Sequence, residues 1–470
     1  MHTLINERRL DRMSFERPWH KWYGDVPAQL EYSQVPLKYQ FIEWVKKQPE
    51  KPLVYFADQV FTYGEIDLQA RKVANALSEL GVKPGDRVSI TLPNIPQFIT
   101  IAHACLKGGF ILVPANPLYT TPELGHQFND SGTETVITIA PVVEKLIGLL
   151  DDPSHPLKRI IVINLPNFDV KLPEREGLYD LSELISKASD AEPDYEAKID
   201  DIVLLLYTGG TTGVPKGCCI SNANLIAIAT EYLTWAQSLI KVDEFLTLCS
   251  VPLYHIYGIN TQFNFPIYTG GTSIILPEIT PDSIMDAFDR FEPNFWPTVP
   301  ALLQALTMHP RLPQSKANAV KCILSGSAPL PAEVMRKFEE ISGAKILEGY
   351  GGSETTNGIS ANPVHKQKIG SVGVPLPDLD VKIVDLETGT KEMPLGEPGE
   401  IIVKGPVIIK EYCQKPEETA QAFRDGWFYT GDIGYFDEEH YLYIVDRKKD
   451  MIITSGFNVY PRDIDEVLYT

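Results

Sequence analysis

The sequence predicts an α/β fold: two α/β subdomains built on mostly parallel sheets, then a small β-rich subdomain. Three observations carry that prediction. Short, branched apolar runs alternate with helix-period stretches through the first two thirds of the chain. A Gly/Thr-rich loop follows one of those runs directly. From about Val381 the texture changes to closely spaced strand-like runs joined by Gly, Pro and acidic turns.

Residues 1–60 read as an N-terminal arm with the first helices. The opening MHTLINERRLDRMSFERPWHKW lacks the apolar core of a secretory signal. Its tryptophans and arginines suit packing on the protein's own body, with peripheral membrane contact as the second reading. The first α/β subdomain is expected over 61–200. Thr62-Tyr63-Gly64-Glu65 has the form of a helix capping box, and Ile66, Ala70, Val73, Leu77 and Leu80 follow at helical spacing up to Gly81. Arg87–Leu92, Phe110–Val113, Thr135–Ile139 and Arg159–Leu165 read as strands, and a polar, acidic, proline-containing section from Leu172 to Asp201 separates this unit from the next. The second α/β subdomain, 201–380, opens with the strand Ile202–Leu206 and its loop. Phe245–Ser250, Thr272–Leu276 and Cys322–Ser325 are its further strands. The β-rich subdomain, 381–446, contains Val381–Val384, Glu400–Val403 and Tyr441–Val445.

A chain of 470 residues exceeds one simple core. Its 44% hydrophobic and 22% charged content is ordinary for a globular protein, and no apolar run reaches the length of a membrane span. The net charge of −20 argues against nucleic acid as a partner, because phosphate backbones demand Lys/Arg surfaces. Six scattered cysteines, without C-x-x-C or His/Cys spacing, read as reduced thiols of a cytoplasmic protein.

The chemistry concentrates in YTGGTTGVPKG, Tyr207 to Gly217. A strand that empties into a Gly/Thr loop gathers backbone N–H groups and hydroxyls at one point, and Lys216 adds the charge a phosphate chain needs. It is not a Walker A loop, since Lys216 follows Pro215 and precedes Gly217 rather than Ser or Thr. Taken alone, such a loop is more often a flexible surface turn. Further downstream, Ser325-Gly326-Ser327-Ala328-Pro329 has small residues that let a flat ring approach the backbone. In Glu348-Gly349-Tyr350-Gly351-Gly352-Ser353-Glu354-Thr355, Tyr350 offers an aromatic face, Ser353 a hydroxyl and Glu354 a hard carboxylate for Mg²⁺. Asp432 of Tyr429-Thr430-Gly431-Asp432 can accept ribose hydroxyls, and Arg447 stands in the charge run Asp446-Arg447-Lys448-Lys449-Asp450. Each of these, read singly, is matched by an ordinary turn or solvated loop.

Their order resembles the adenylate-forming superfamily, which includes acyl- and aryl-CoA synthetases, firefly-type luciferases and peptide-synthetase adenylation domains. The resemblance spans roughly Phe61 to the C-terminus and is to the large N-terminal domain of the acyl-CoA synthetase type. It implies that Thr208, Gly209, Gly210, Thr211, Thr212, Gly213 and Lys216 bind the β- and γ-phosphates, with Thr212 near the metal. Gly326, Ser327, Ala328, Glu348, Gly349, Tyr350 and Gly351 would line the adenine site. Ser353 would touch the α-phosphate, Glu354 would hold Mg²⁺, and Asp432 and Arg447 would bind ribose. Lys449 matches a hinge position, making 447–470 the hinge and the start of a truncated C-terminal domain. His255, in Pro252-Leu253-Tyr254-His255-Ile256-Tyr257-Gly258, matches a site beside the acyl carboxylate, with a satisfied core histidine as the plainer reading. Tyr254, His255, Ile259, Thr298 and Gly352 would line the acyl pocket. Lys216, Thr212, Ser353, Glu354 and His255 would be the catalytic set.

The implied reaction uses ATP, Mg²⁺ and coenzyme A. A carboxylic acid, first a medium- or long-chain fatty acid, becomes an acyl-adenylate and then an acyl-CoA, with AMP and pyrophosphate released. An aryl-CoA ligase and a peptide-synthetase adenylation domain are the rival enzymes, and luciferase chemistry ranks below both. A non-catalytic acyl-nucleotide-binding fragment is the rival of another class. Gly210 stands where many relatives carry serine, a form found in fatty acyl-CoA ligases, and Ser353 replaces the usual threonine. The sequence ends at Thr470 inside an apparent helix, Ile464–Leu468, ahead of the family's C-terminal lysine. Full activity of the chain as given is therefore in doubt. Oligomeric state is left open, with a homodimer as one form.

Overall fold

A computed structural model describes residues 16–165, 173–208 and 215–450, together with the backbone of 452–454 and 457–459. After a helix, Leu37–Lys47, come β1 (Pro52–Phe56) and β2 (Gln59–Thr62). Next are β3 (Arg87–Thr91), β4 (Ile111–Pro114), β5 (Thr135–Ile139), β6 (Arg159–Ile163) and β7 (Leu178–Asp180). The glycine loop is flanked by β8 (Ile202–Thr208) and β9 (Lys216–Ser221). The second half contributes β10 (Leu246–Cys249), β11 (Thr272–Ile275), β12 (Phe295–Thr298), β13 (Cys322–Ser325) and β14 (Lys345–Tyr350). Short strands β15 (Ser360–Ala361) and β16 (Val374–Pro375) follow. The last group is β17 (Asp380–Val384), β18 (Gly399–Lys404), β19 (Phe423–Arg424), β20 (Trp427–Phe436) and β21 (Leu442–Arg447).

These strands form the expected α/β architecture, two large sheets and a small antiparallel one. The first has seven strands in the order β7-β6-β5-β3-β4-β8-β9, parallel except for the antiparallel β8–β9 pair. The second has nine, β16-β15-β14-β13-β12-β10-β11-β1-β2, with a parallel centre from β14 to β1. The third joins β17 to β21 in an antiparallel sheet.

Sheet membership crosses the boundaries read from sequence. The β1–β2 hairpin completes the second sheet although it precedes every strand of the first. β8 and β9, read as the opening of the second subdomain, pair within the first sheet through β4. Parallel pairing needs long crossovers, so chain order does not dictate strand order.

The Thr62 hydroxyl and the Glu65 carboxylate close the capping box of helix Tyr63–Glu79. Its apolar stripe packs with helix Pro96–Gly108 in a core that holds Val88 and Ile90 of one sheet and Val54 and Ile275 of the other. The acidic section before β8 lies against this body: Glu192 reaches the buried Lys107 Nζ at 2.7 Å, beside Asp67 at 2.7 Å. Helix Asn222–Trp235 is apolar on nearly every face because it is buried between the second and third sheets. The arm packs inward as well. Trp19 stacks on Phe436 with centroids 5.6 Å apart, and the Trp22 indole donates to the Glu439 carbonyl at 2.7 Å. Among the described residues no helix is long and apolar enough to cross a membrane.

Candidate active site

Parallel strands place their carboxyl ends along one edge, where α/β sheets bind ligands. The segments leaving β10, β12, β13 and β14 therefore emerge together, and they carry the residues singled out in sequence. Thr298 pairs with Ser325, and Ser325 with Glu348, so three polar side chains share one register across β12, β13 and β14. Among the described residues the buried Thr298 and Ser325 hydroxyls have no hydrogen-bond partner. Glu348 accepts from the Leu330 amide at 3.2 Å. Ser327 adopts φ 70° in the turn beyond β13, and a Cβ on Gly326 would meet only Gly349 O and the Tyr257 ring, at 3.8 and 4.0 Å. The small residues thus leave an open ledge at the strand ends. Gly351 is needed for a different reason: a Cβ there would lie 2.6 Å from the Asn357 and Gly358 backbone.

Beyond β14 the chain turns through a single 3-10 turn, Ser353–Thr355, with Gly352 at its start and Ser353 buried. The Glu354 carboxylate accepts from the Tyr412 hydroxyl at 3.0 Å. Lys216, the first residue of β9, is buried with its ammonium 4.5 Å from the centre of the same Tyr412 ring. Thr208 ends β8, opposite Lys216 in the hairpin. Gly209, Gly210, Thr211, Thr212 and Gly213 lie outside the described residues.

The third sheet supplies the remaining groups. Asp432 and Arg447 are register partners on β20 and β21, with Nε to Oδ1 at 3.7 Å. The Tyr350 hydroxyl donates to Asp432 Oδ2 at 2.5 Å, joining the end of β14 to this pair. Burial raises the Asp432 pKa, and the Tyr350 hydrogen bond and Arg447 oppose that shift. Gly431 turns at φ 75°, with its amide donating to Glu400 at 3.2 Å.

Three of the acyl-pocket candidates, Tyr254, His255 and Ile259, follow β10, whereas Thr298 ends β12 and Gly352 lies just beyond β14. His255 caps helix Ile256–Ile259, its Nδ1 accepting from the Tyr257 amide at 3.2 Å. Its side chain is exposed, while the protein mass around it lowers its pKa. It is not the satisfied core histidine of the plainer sequence reading. Tyr254 is half-buried and Ile259 fully buried. Tyr257, overlooked in sequence, joins this segment to the ledge by donating to the Leu324 carbonyl at 2.5 Å. A π-helical turn, Asn260–Asn264, follows, and the Asn260 amide donates to the Thr356 carbonyl at 2.7 Å beside the Glu354 turn. Lys449 stands exposed in the turn beyond β21. Among the described residues no side-chain hydrogen bond or ion pair joins His255 or Lys449 to the phosphate and ribose groups.

The site suits Mg²⁺ of the kind that travels with a nucleotide. That ion binds through one or two carboxylates plus substrate phosphates and keeps several waters. Glu354 would be a carboxylate of this kind, and among the described residues no group of three His, Cys, Asp or Glu is placed to hold a metal ion. A buried lysine, an oriented carboxylate and an Asp–Arg–Tyr group, contributed by three different sheets, are the kinds of group that a nucleotide-using enzyme needs.

The chain belongs to the AMP-binding enzyme family, whose model matches residues 41–413, and within it to the acyl-CoA synthetase type of adenylate-forming enzymes. It is 37% identical to a long-chain-fatty-acid–CoA ligase of Bacillus subtilis, over 97% of this chain and 85% of the relative. It is 32% identical to a feruloyl-CoA synthase of Amycolatopsis sp., over 90% of this chain and 81% of that protein. ATP-bound MatB from Rhodopseudomonas palustris superposes with a TM-score of 0.80 at 30% identity, covering 92% of this chain and 83% of MatB.

Proposed function

We propose that the chain activates a medium- or long-chain fatty acid with ATP and passes the acyl group to coenzyme A. The carrying observation is that Tyr412 and Tyr350 link the phosphate, metal and ribose candidates into one edge of the molecule. Lys216 would hold the β- and γ-phosphates, Ser353 would meet the α-phosphate, and Asp432 with Arg447 would hold ribose. Tyr350 and the Gly326–Ala328 ledge would receive the adenine. Mg²⁺, when bound, neutralises phosphate charge, and Glu354 is the residue that would hold it.

The substrate carboxylate attacks the α-phosphorus, the bond to the β-bridging oxygen breaks, and pyrophosphate leaves. The coenzyme A thiol then attacks the acyl carbon, loses its proton, and expels AMP. No protein nucleophile is required. The residues act by alignment and by stabilising charge that develops on the phosphates.

The similarity to a long-chain-fatty-acid–CoA ligase favours an aliphatic acid, while the feruloyl-CoA synthase likeness keeps an aryl acid as the second reading. Six free cysteines, two of them adjacent and unlinked, support a reducing compartment, the cytoplasm.

Thermal stabilisation by non-hydrolysable acyl-adenylate analogues, from acetyl to palmitoyl and including benzoyl and feruloyl, tests this. A ligand at 100 times its Kd adds about 2.7 kcal/mol. The expected optimum lies between octanoyl and palmitoyl. An optimum at an aryl analogue selects the second reading, and no shift with any analogue removes the ligase assignment.

A further inference from the structure

Tyr412 lies in none of the sequence motifs, yet it touches both halves of the phosphate clamp. Its segment threads between β9 and the Glu354 turn and is tied to each. On one side the Cys413 amide donates to Gly217 O at 2.7 Å and the Cys219 amide to Glu411 O at 3.2 Å. These bonds flank an antiparallel bridge between Cys218 and Tyr412. On the other side the Ile409 amide donates to Glu354 O at 2.9 Å, and the Thr356 hydroxyl to Val407 O at 2.6 Å.

The side chain then divides its two functions. Its hydroxyl donates to Glu354 Oε1 at 3.0 Å. Its ring face lies beneath the Lys216 ammonium at 4.5 Å. Among the described residues Lys216 forms no ion pair. A lysine and a glutamate this close to one side chain would otherwise neutralise one another. The tyrosine offers each a different partner, a quadrupole for the cation and a hydrogen bond for the anion.

We infer that Tyr412 is a positioning residue for Mg·ATP, aiming Glu354 at the metal through its hydroxyl and Lys216 at the phosphates through its ring. This rests on the roles proposed above for Lys216 and Glu354. Partners that orient a metal ligand from behind are worth roughly 10–100-fold in metal affinity.

Equilibrium ATP binding, titrated with Mg²⁺ by calorimetry, separates the two functions without turnover. The variants are Tyr412→Phe, Tyr412→Leu and Glu354→Gln, each with its Tm. Tyr412→Phe keeps the ring, so the Mg²⁺ needed for half-maximal ATP binding should rise about tenfold. ATP affinity at saturating Mg²⁺ should change less than about twofold in that variant, because the ring contact remains. Tyr412→Leu loses both and should weaken ATP even at saturating Mg²⁺. A lowered Tm with an unmoved Mg²⁺ requirement in Tyr412→Phe makes Tyr412 a packing residue and overturns the inference. If Glu354→Gln raises the requirement and Tyr412→Phe does not, only the Tyr412 assignment falls. If Glu354→Gln also leaves it unmoved, the metal role of Glu354 falls and the inference with it.

Discussion

Replacing Asp432 by asparagine tests the ribose half of the site with little disturbance to its surroundings. The Tyr350 hydroxyl donates to Asp432 Oδ2 at 2.5 Å, and an asparagine carbonyl can accept the same bond. The other carboxylate oxygen faces Arg447 at 3.7 Å, too far for a strong ion pair, so it remains available to ribose. Asparagine presents an N–H₂ there instead. Two hydroxyl bonds to a charged acceptor, each worth about 1.5–3 kcal/mol, become one weaker contact and one mismatch. The expected loss is about 3 kcal/mol, close to 150-fold in ATP affinity. Equilibrium binding of ATP and of inorganic tripolyphosphate to the same protein separates this from a general defect. Asp432→Asn should lose ATP and keep tripolyphosphate, whereas Lys216→Met should weaken both. Unchanged ATP affinity, or equal loss of both ligands in Asp432→Asn, would refute the assignment of Asp432 to ribose.

Two predictions concern buried charges outside the site. Lys107 is 1% exposed and pairs with Asp67 and Glu192. Lys107→Met strands the buried Asp67 carboxylate, with Arg71 at 2.9 Å as partial relief, so urea unfolding should show a loss of about 3 kcal/mol. A loss under about 1 kcal/mol would mean that Arg71 suffices. Glu231 is fully buried, with one oxygen that has no hydrogen-bond partner among the described residues, and is faced by Tyr23, Tyr32 and Asp378. Burial raises its pKa, with Asp378 adding to the shift and the Tyr32 hydrogen bond opposing it. Folded and unfolded forms are both protonated below the unfolded pKa. As pH rises past that point only the unfolded chain ionises, so stability falls by up to about 1.4 kcal/mol per pH unit until the folded pKa is reached. Glu231→Gln should gain on the natural protein as pH rises above the ordinary glutamate range, and a difference that does not change with pH there would sink the argument.

The parts of the fold legible in sequence are those set by local physics. Every strand read between Arg87 and Thr208 is present within a residue or two, because branched apolar runs bounded by turn formers have few other fates. Thr62 and Glu65 announced a helix start for the same reason. Pairing partners were not legible. Nothing local in Pro52–Thr62 says that it will lie beside Thr272–Ile275, some 220 residues later. Lys216–Ser221 escaped recognition as a strand because Gly217 and two cysteines give it no alternation. The Ser221–Asn224 capping box at its end was the available signal. Within the candidate site, motif residues with their own chemistry, such as Asp432 and Glu354, could be named from sequence as candidates. Tyr257 and Tyr412 could not, since their importance is a contact made across the fold.

That contact pattern has a mechanical consequence. Lys216 is anchored in the first sheet, Tyr350 and Glu354 leave the second, and Asp432 with Arg447 belongs to the third. A triphosphate, ribose and base held by these groups would bridge all three sheets at once. Two tyrosine hydroxyls, on Glu354 and Asp432, span the seams. Polar groups held by such contacts have less freedom to lose on binding, which lowers the ordering cost and leaves binding energy for the reacting centre. It also predicts where tolerance ends. Substitutions on the outer faces of each sheet should alter stability alone. Those at the seams, including Asn260 under the Glu354 turn, should alter nucleotide affinity while the fold persists. Asn260→Ala is the direct case: weakened ATP binding with an intact melting transition is expected, and a coupled loss of both would place Asn260 in the core instead.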